Sequence, residues 1–355
     1  MATISRSGPP APLRAPVRSM GSGVSLPVTF DVRTAYDFAL SLASEVGEQD
    51  ELLPDDRRWL IGAREAIATQ TPIVDDEVCI FGAGLLIDRP EVINAAGYVD
   101  LLRETTGEEF ARVVLADQFH HDEDRDDVER ALDGDREAAE RIIGTWAEHK
   151  QAWLRSLFDN PATYISTIAD RMAAWLPLYQ QLEPRVQRII ERDVEQRAGD
   201  RATLPVGELI ERTTNGIRWL SEPGVRRLVL APSYLGRPYN FTFNGPDWRI
   251  FVYPVGDSAL EADDPLAPPV GMLRLHRALG DETRLRILRL LRDRDYYLTE
   301  IAERLELSKP TIKHHLAQLR AAGLVTLIEE GGLSYFSLRR ERLDDASSEL
   351  KLYLA

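Results

Sequence analysis

The spacing of apolar positions changes twice along this chain. From residue 32 to 200 apolar side chains recur at helical intervals. "VRTAYDFALSLASEV" sets Val32, Ala35, Tyr36, Ala39, Leu40 and Ala43 on one stripe. "DDRRWLIGAREAIA", "EVINAAGYVDLLRET", "EEFARVVLADQF", "AERIIGTWAEHKQAWLRSLF" and "ATYISTIADRMAAWLPLYQQL" repeat the pattern. "EPRVQRIIERDVEQRA" extends it as a mainly polar helix with Val186, Ile189, Ile190 and Val194 on one side. Between 201 and 265, "VRRLVLAPS", "RPYNFTFNG" and "DWRIFVYPV" are short, β-branched and aromatic, and are bounded by Gly, Pro and Asn, the marks of strands. The acidic, proline-rich "DSALEADDPLAPPVG" then reads as a linker. The pattern predicts a mainly α protein with minor β. Its parts are a disordered tail (1–27), a large helical domain (28–200), a small antiparallel strand-rich segment packed on it (201–258), a linker (259–270) and a compact C-terminal domain (271–355).

Within that last domain, "MLRLHRALGDETRLRILRLLRDRD" predicts one helix ending near Gly280 and a second capped by Asp281, with Leu285, Ile287, Leu288 and Leu291 on its core side. "LTEIAERLEL" predicts a short helix capped by Thr299 that buries Ile301, Ala302 and Leu305. Three residues join it to the helix in "LSKPTIKHHLAQLRAAGLV". There Ser308 is a good N-cap, Pro310 sits where its missing N–H costs little, and Gly323 is a good stop. Two helices joined by so short a turn form a helix-turn-helix. At about 100° per residue, Ile312, Leu316 and Leu319 turn inward, while Pro310, His314, Ala317 and Ala321 turn outward. Thr311 and Gln318 lie on one outer flank, Lys313 and Arg320 on the other. Such a face suits a DNA major groove: hydrogen-bonding side chains for base edges, cations for phosphates, alanines for close approach. Ser308 and Lys309 at the helix start complete the candidate surface. His315 lies nearer the core side and is expected to pack there and bond to backbone. Adjacent His314 and His315 diverge too far to share one metal ion.

"LVTLI" and "LSYFSL" flank "EEGG" and predict a β-hairpin, which after such a helix is a wing. Its tip carries Glu329 and Glu330, which phosphate repels, so Ser334, Tyr335, Arg339 and Arg340 are the better candidates for backbone contact. The final stretch spaces Leu343, Ala346, Ser347 and Leu350 along one helical face, for packing on a partner.

Charge sharpens this division. The 355-residue chain carries a net charge of −15. From Gly271 onward there are 15 Lys and Arg against 13 Asp and Glu, a net of +2, which leaves 28 against 45 and a net of −17 for the rest. Only the C-terminal domain is not repelled by phosphate. The lone cysteine, Cys79, excludes an internal disulfide and a cysteine-built zinc site and fits a reducing cytoplasm. No apolar run approaches the roughly 18 residues a membrane span needs. The first 27 residues, with Arg6, Arg14 and Arg18 and no acid before Asp31, have the look of an organellar transit peptide but are read as a disordered tail.

The motifs "ALGDETRLRILRLL" and "LTEIAERLELSKPTIKHHLAQLRAAGLV", with the Gly-Gly wing, occur in the order and spacing of the arsenic-repressor-type (ArsR) winged-helix regulators, which this domain resembles. The resemblance covers about 85 residues. It implies a homodimer joined through the first and last helices of the domain, with two reading helices in successive major grooves of a palindromic operator. Metal-sensing members carry a cysteine cluster in the helix that here reads "LTEIAERLEL", or His and carboxylate ligands in the last helix. Here the first has no Cys. The last offers Asp344, Asp345 and Glu349 without His, a poor soft-metal set. The region ahead of the domain resembles a helical domain of unknown function found in larger family members, and suggests a sensor for a small-molecule effector or partner.

Weaker signals compete with this reading. "FHHDEDRDD" clusters His120, His121, Asp122, Glu123 and Asp124, as a divalent-metal site or, more commonly, as a solvated acidic loop. "FGAGLL" holds Gly82 and Gly84 but lacks the third glycine and preceding strand of a nucleotide-binding turn. Tyr234, Tyr239, Phe241, Phe243, Trp248, Phe251 and Tyr253 are expected as core, with an aromatic-lined pocket as the alternative. No Ser-His-Asp, P-loop or HExxH arrangement is present and no cofactor is called for. The expected function is a sequence-specific, cytoplasmic, non-enzymatic transcriptional regulator. The alternatives are an enzyme tethered to a DNA-binding module, or a winged helix used to dock protein.

Overall fold

The structure, a computed structural model, describes residues 26–43, 51–68, 76–118, 122–145, 148–260, 268–330 and 333–354. The tail expected over 1–27 lies almost wholly outside them, as do His120 and His121. The protein is mainly helical with two small sheets and a C-terminal winged helix-turn-helix.

Ahead of residue 215 the helices are α1 (Thr34–Leu40), α2 (Pro54–Ala68), α3 (Ala95–Glu104), α4 (Gly107–Gln118), α5 (Asp122–Leu132) and α6 (Arg136–Gly144). They continue as α7 (Glu148–Asp159), α8 (Pro161–Tyr179), α9 (Glu183–Gln196), α10 (Ala198–Thr203) and α11 (Val206–Thr213). Short polar side chains start several of them. The Asn94 side chain accepts from the Gly97 N–H, Asp135 from those of Glu137 and Ala138, and Asn160 from that of Thr163, just ahead of a proline at the first helical position. The helix α8 runs through the main core. Its Ile165, Ile168, Met172, Trp175 and Tyr179 are buried with Ala35, Phe38 and Ala39 of α1. Trp175 satisfies its indole N–H on the Ser41 hydroxyl at 2.7 Å. The two glycines of "FGAGLL" lie in a 3-10 segment and allow close packing: a Cβ on Gly82 would strike the Tyr98 hydroxyl, and one on Gly84 would strike Val113 and Trp248.

The first sheet holds β1 (Val28–Phe30), β3 (Arg227–Ser233), β4 (Phe241–Asn244) and β5 (Trp248–Pro254), in the order β1-β3-β5-β4; β2 (Ile217–Arg218) belongs elsewhere. Its pairing corrects the expected antiparallel arrangement. Only β4 and β5 are antiparallel, whereas β1 with β3 and β3 with β5 are parallel. The chain leaves β3 through the buried segment 234–238 before β4 turns back into β5, so the strand nearest β3 in sequence is not its neighbour in space. Strand β1, inside the stretch read as helical, is too short to show a period. The start of the stretch read as strand-rich is helical instead, in α10 and α11.

Alternation along β3 buries both faces. Val229 and Ala231 face the helical core, while Leu228 and Leu230 meet Leu209 and Ile210 of α11. Of the strand-region aromatics, Tyr234, Phe241, Phe243, Trp248, Phe251 and Tyr253 are core, and only Tyr239 is half-buried.

A buried carboxylate ties α1 to the end of β3. Asp37 is wholly buried and accepts from the Ser233 hydroxyl (2.5 Å), the Tyr234 and Leu235 N–H groups (2.7 and 2.9 Å) and the Tyr179 hydroxyl (2.9 Å). Burial pushes its carboxyl up from the ordinary range, against these donors. Asp37→Ala would leave the Ser233 hydroxyl and the Tyr234 and Leu235 N–H groups unmatched, with the Tyr179 hydroxyl keeping only a 3.5 Å bond to the Thr34 carbonyl. It should cost about 3 kcal/mol or more, read as a lowered urea midpoint at unchanged slope.

The C-terminal part holds α12 (Val270–Leu279), α13 (Glu282–Leu291), β6 (Tyr296–Tyr297), α14 (Leu298–Leu305), α15 (Lys309–Ala321), β7 (Val325–Glu330), β8 (Leu333–Leu338) and α16 (Glu341–Tyr353). Its own core gathers Leu275, Ile287, Leu288, Leu291, Ile301, Ala302, Leu305, Ile312, Leu316, Leu319 and Phe336. Two expectations fail here. Leu285 is 48% exposed, on the far side of α13 from the core. Thr299 does not cap α14; the helix begins after Tyr297, whose N–H donates to the Glu300 carboxylate at 3.0 Å.

Candidate DNA-reading surface

Helix α15 is held at its start by Ser308, whose hydroxyl accepts from the Thr311 N–H at 3.3 Å and shares a 2.7 Å hydrogen bond with the Thr311 hydroxyl. It ends at Gly323, whose φ of +74° is a conformation that glycine adopts without strain. The turn before it runs through Glu306, itself left-handed at φ +57°. Ile312, Leu316 and Leu319 are anchored in the core at 0–1% exposure. That fixes the helix's rotation and leaves Ser308, Lys309, Thr311, Lys313 and His314 exposed on its first two turns. Two cations, two hydroxyls and an imidazole thus stand together on a helix N-terminus, whose dipole adds to the attraction for phosphate.

The second half of the helix is different. Gln318 and Arg320 are half-buried, and the Gln318 amide donates to the Tyr239 hydroxyl of the N-terminal part at 3.3 Å. Ala321, expected to face outward, is 7% exposed, and its carbonyl accepts from the Asn215 side chain at 3.2 Å. The N-terminal part covers this end of the outer face, which α15's own periodicity could not reveal.

His315 sits half-buried with Nδ1 3.8 Å from the Asp281 carboxylate, and that Nδ1 has no hydrogen-bond partner among the described residues. The expected bond to backbone is not made through that atom. Burial lowers its pKa, and the nearby Asp281 only partly offsets this. Asp281 caps α13 through the Arg284 N–H, as expected, and that bond holds its carboxyl below the ordinary range.

In the wing, β7 and β8 form the expected antiparallel hairpin, Val325 opposite Leu338 through Glu330 opposite Leu333. Gly331 and Gly332 lie outside the described residues. Ser334 is paired in the ladder opposite Glu329, and its side chain is not among those described. Tyr335 is half-buried and meets Tyr297 edge-on at 5.8 Å. Arg339, expected to reach phosphate, donates instead to the Asn215 side chain at 3.1 Å, and Arg340 donates to the Arg292 carbonyl at 2.6 Å.

The sequence gives no hint of what borders the wing. Strand β2 pairs in parallel with β7, Ile217 beside Leu327 and Arg218 beside Ile328, so the second sheet runs β2-β7-β8-β6. A second junction lies at α12. Arg274 pairs with Glu51 and Asp257, and the fully buried Arg237 pairs with the same two carboxylates and donates to the Glu51 carbonyl at 3.0 Å. Burial works against both the Arg274 cation and the Asp257 anion, but their pairing wins: Arg274 is raised and Asp257 lowered. Among the described residues no group of three or more His, Cys, Asp or Glu could hold a metal ion, and no helix is long and apolar enough to cross a membrane.

Comparison with known proteins places the C-terminal region. Residues 281–326 match the model of the bacterial regulatory protein, arsR family. The transcriptional repressor SdpR of Bacillus subtilis is 37% identical over 75 residues, 21% of this chain and 83% of that protein. The regulator CmtR of Mycobacterium tuberculosis is 39% identical over 79 residues, 22% of this chain and 67% of its own. The transcriptional activator HlyU of Vibrio cholerae is 39% identical over 64 residues, 18% of this chain and 59% of its own. A solved HlyU structure is 32% identical and covers 24% of this chain and 94% of that one, with a TM-score of 0.20. All these matches are to the C-terminal region. Through its winged helix-turn-helix, this chain belongs to the ArsR family of bacterial regulatory proteins.

Proposed function

We propose that the protein is a sequence-specific DNA-binding transcriptional regulator, a repressor of ArsR type that works in the cytoplasm as a homodimer, with the region ahead of residue 270 as its sensor. The observation that carries this is the exposed first half of α15, with Lys309, Thr311, Lys313 and His314 on a capped helix in a domain of net charge +2, while the rest of the chain carries −17. Helix α16 supports the dimer, since it leaves Leu343, Leu350 and Leu352 between 38% and 80% exposed. Two copies joined there would read half-sites about 34–36 Å apart. The reading excludes soft-metal sensing at the winged helix, because α14 carries no Cys and α16 no His.

A sensing site is supported by a groove of about 490 Å³ between β1, α10 and α11, lined by Leu26, Val28, Phe30, Leu204 and Val206 together with Arg201, whose guanidinium lies over the Phe30 ring. The helix on its wall, α11, leads directly into the turn that meets the wing. An amphipathic effector with an anionic end for Arg201 fits that mixed lining.

The test is binding to duplex DNA across a salt series. If two copies contact several phosphates, the logarithm of the affinity should fall with the logarithm of salt at a slope of about −0.9 per phosphate contacted. A flat line would favour protein docking by the winged helix instead.

A further inference from the structure

The N-terminal part reaches onto the reading surface with three groups. The first is the Asn215–Gly216 turn, where both residues have positive φ, +54° and +121°. Asn215 uses both ends of its amide, donating to the Ala321 carbonyl at the end of α15 and accepting from Arg339 at the base of the wing. Gly216 comes so close to β7 that a Cβ would lie 3.1 Å from the Val325 carbonyl, and its own carbonyl accepts from the Leu327 N–H at 2.9 Å. The second is β2, only two residues long, added to the outer edge of β7. The third is Tyr239, on the flank of α15 that also carries Thr311.

We propose that these contacts form an autoinhibitory clamp, which holds the second half of α15 and the outer edge of the wing against the N-terminal part and bars full insertion of the helix into the groove. The inference rests on the DNA-reading function proposed above. The major groove is about 12 Å wide and an α-helix with its side chains fills it, so no second layer of polypeptide fits beyond the helix's outer face. Gln318 lies about 10 Å along the axis from Thr311 on the same flank, so a body seated on Gln318 stands beside the bases that Thr311 would read. That body is also acidic, at a net −17, and phosphate repels it. Opening requires the turn and β2 to leave β7. Helix α11, directly ahead of the turn, is the element through which the sensor can pull them away.

A reversible lock tests this in the full-length chain. Ile217 and Leu327 are direct neighbours in the parallel pair, at a spacing within disulfide reach. Ile217→Cys and Leu327→Cys would be placed in a Cys79→Ser background. Binding would be measured to a labelled 40-base-pair duplex enriched from a random-sequence pool by the reduced protein. The oxidised form should bind at least 10-fold more weakly than the reduced form, and reduction should restore binding. In a separate variant, Asn215→Ala should bind several-fold more tightly than the unmodified chain. Equal binding by oxidised and reduced forms, or tighter binding when locked, overturns the clamp and leaves the DNA-reading function standing. If neither the reduced protein nor Asn215→Ala enriches any duplex, that function falls and the clamp with it.

Discussion

Alanine at both Thr311 and His314 should remove sequence-selective DNA binding while leaving the fold intact. Both side chains are exposed on the first two turns of α15, and neither contributes to the core that Ile312, Leu316 and Leu319 hold. The expected change in stability is therefore about half a kcal/mol or less. A good base contact is worth about 1–3 kcal/mol of discrimination, so the pair should cost roughly 2–6 kcal/mol against the selected duplex. Binding to a scrambled duplex should hardly change, because that binding depends on phosphate. Lys309→Ala or Lys313→Ala should do the opposite, weakening binding to both duplexes alike and reducing the salt slope by about 1. Titration of both duplexes by fluorescence anisotropy separates the two patterns. Wild-type affinity in the double variant would show that the reading face lies elsewhere on the domain.

The second large effect is expected far from DNA. Arg237 is 1% exposed and serves two carboxylates, Glu51 and Asp257, which Arg274 of α12 also serves. Removing one member of a buried charge cluster leaves the others uncompensated, at a cost of about 3–5 kcal/mol. Arg237→Ala should lower the urea midpoint accordingly. Arg237→Lys should recover only part of the loss, because an ammonium keeps the charge but cannot reproduce the planar fork that reaches two carboxylates and two carbonyls. The damage should spread to the seat of the winged helix, since Arg274 would be left alone with both anions. A cost under 1 kcal/mol for Arg237→Ala would mean that water reaches the cluster and screens it.

The winged helix was legible in the sequence because its information is local. Asp281, Ser308 and Gly323 mark helix ends within a few residues of the positions they control, and the period of Ile312, Leu316 and Leu319 fixes which way α15 faces. The helices ahead of residue 200 were legible for the same reason. What could not be read was anything set by distant partners. Strand β1 finds its place only against β3, roughly 200 residues later, and nothing in "VTF" announces it. Strand β2 is two residues long and has meaning only beside β7. The covered end of the reading surface follows from that pairing: α15 alone predicts Ala321 as exposed, and the Asn215 turn buries it. Arg339 reads as a phosphate ligand for the same reason, its Asn215 partner being invisible in "SLRRER".

The pairing of Val28–Phe30 with Leu228–Leu230 also sets the order in which the chain can assemble as it leaves the ribosome. At about 5–20 residues per second, the first strand waits roughly 10–40 seconds for its neighbour to be made. During that time its edge is open to other nascent chains. The reader, built from neighbours in sequence, can close soon after its last residues emerge.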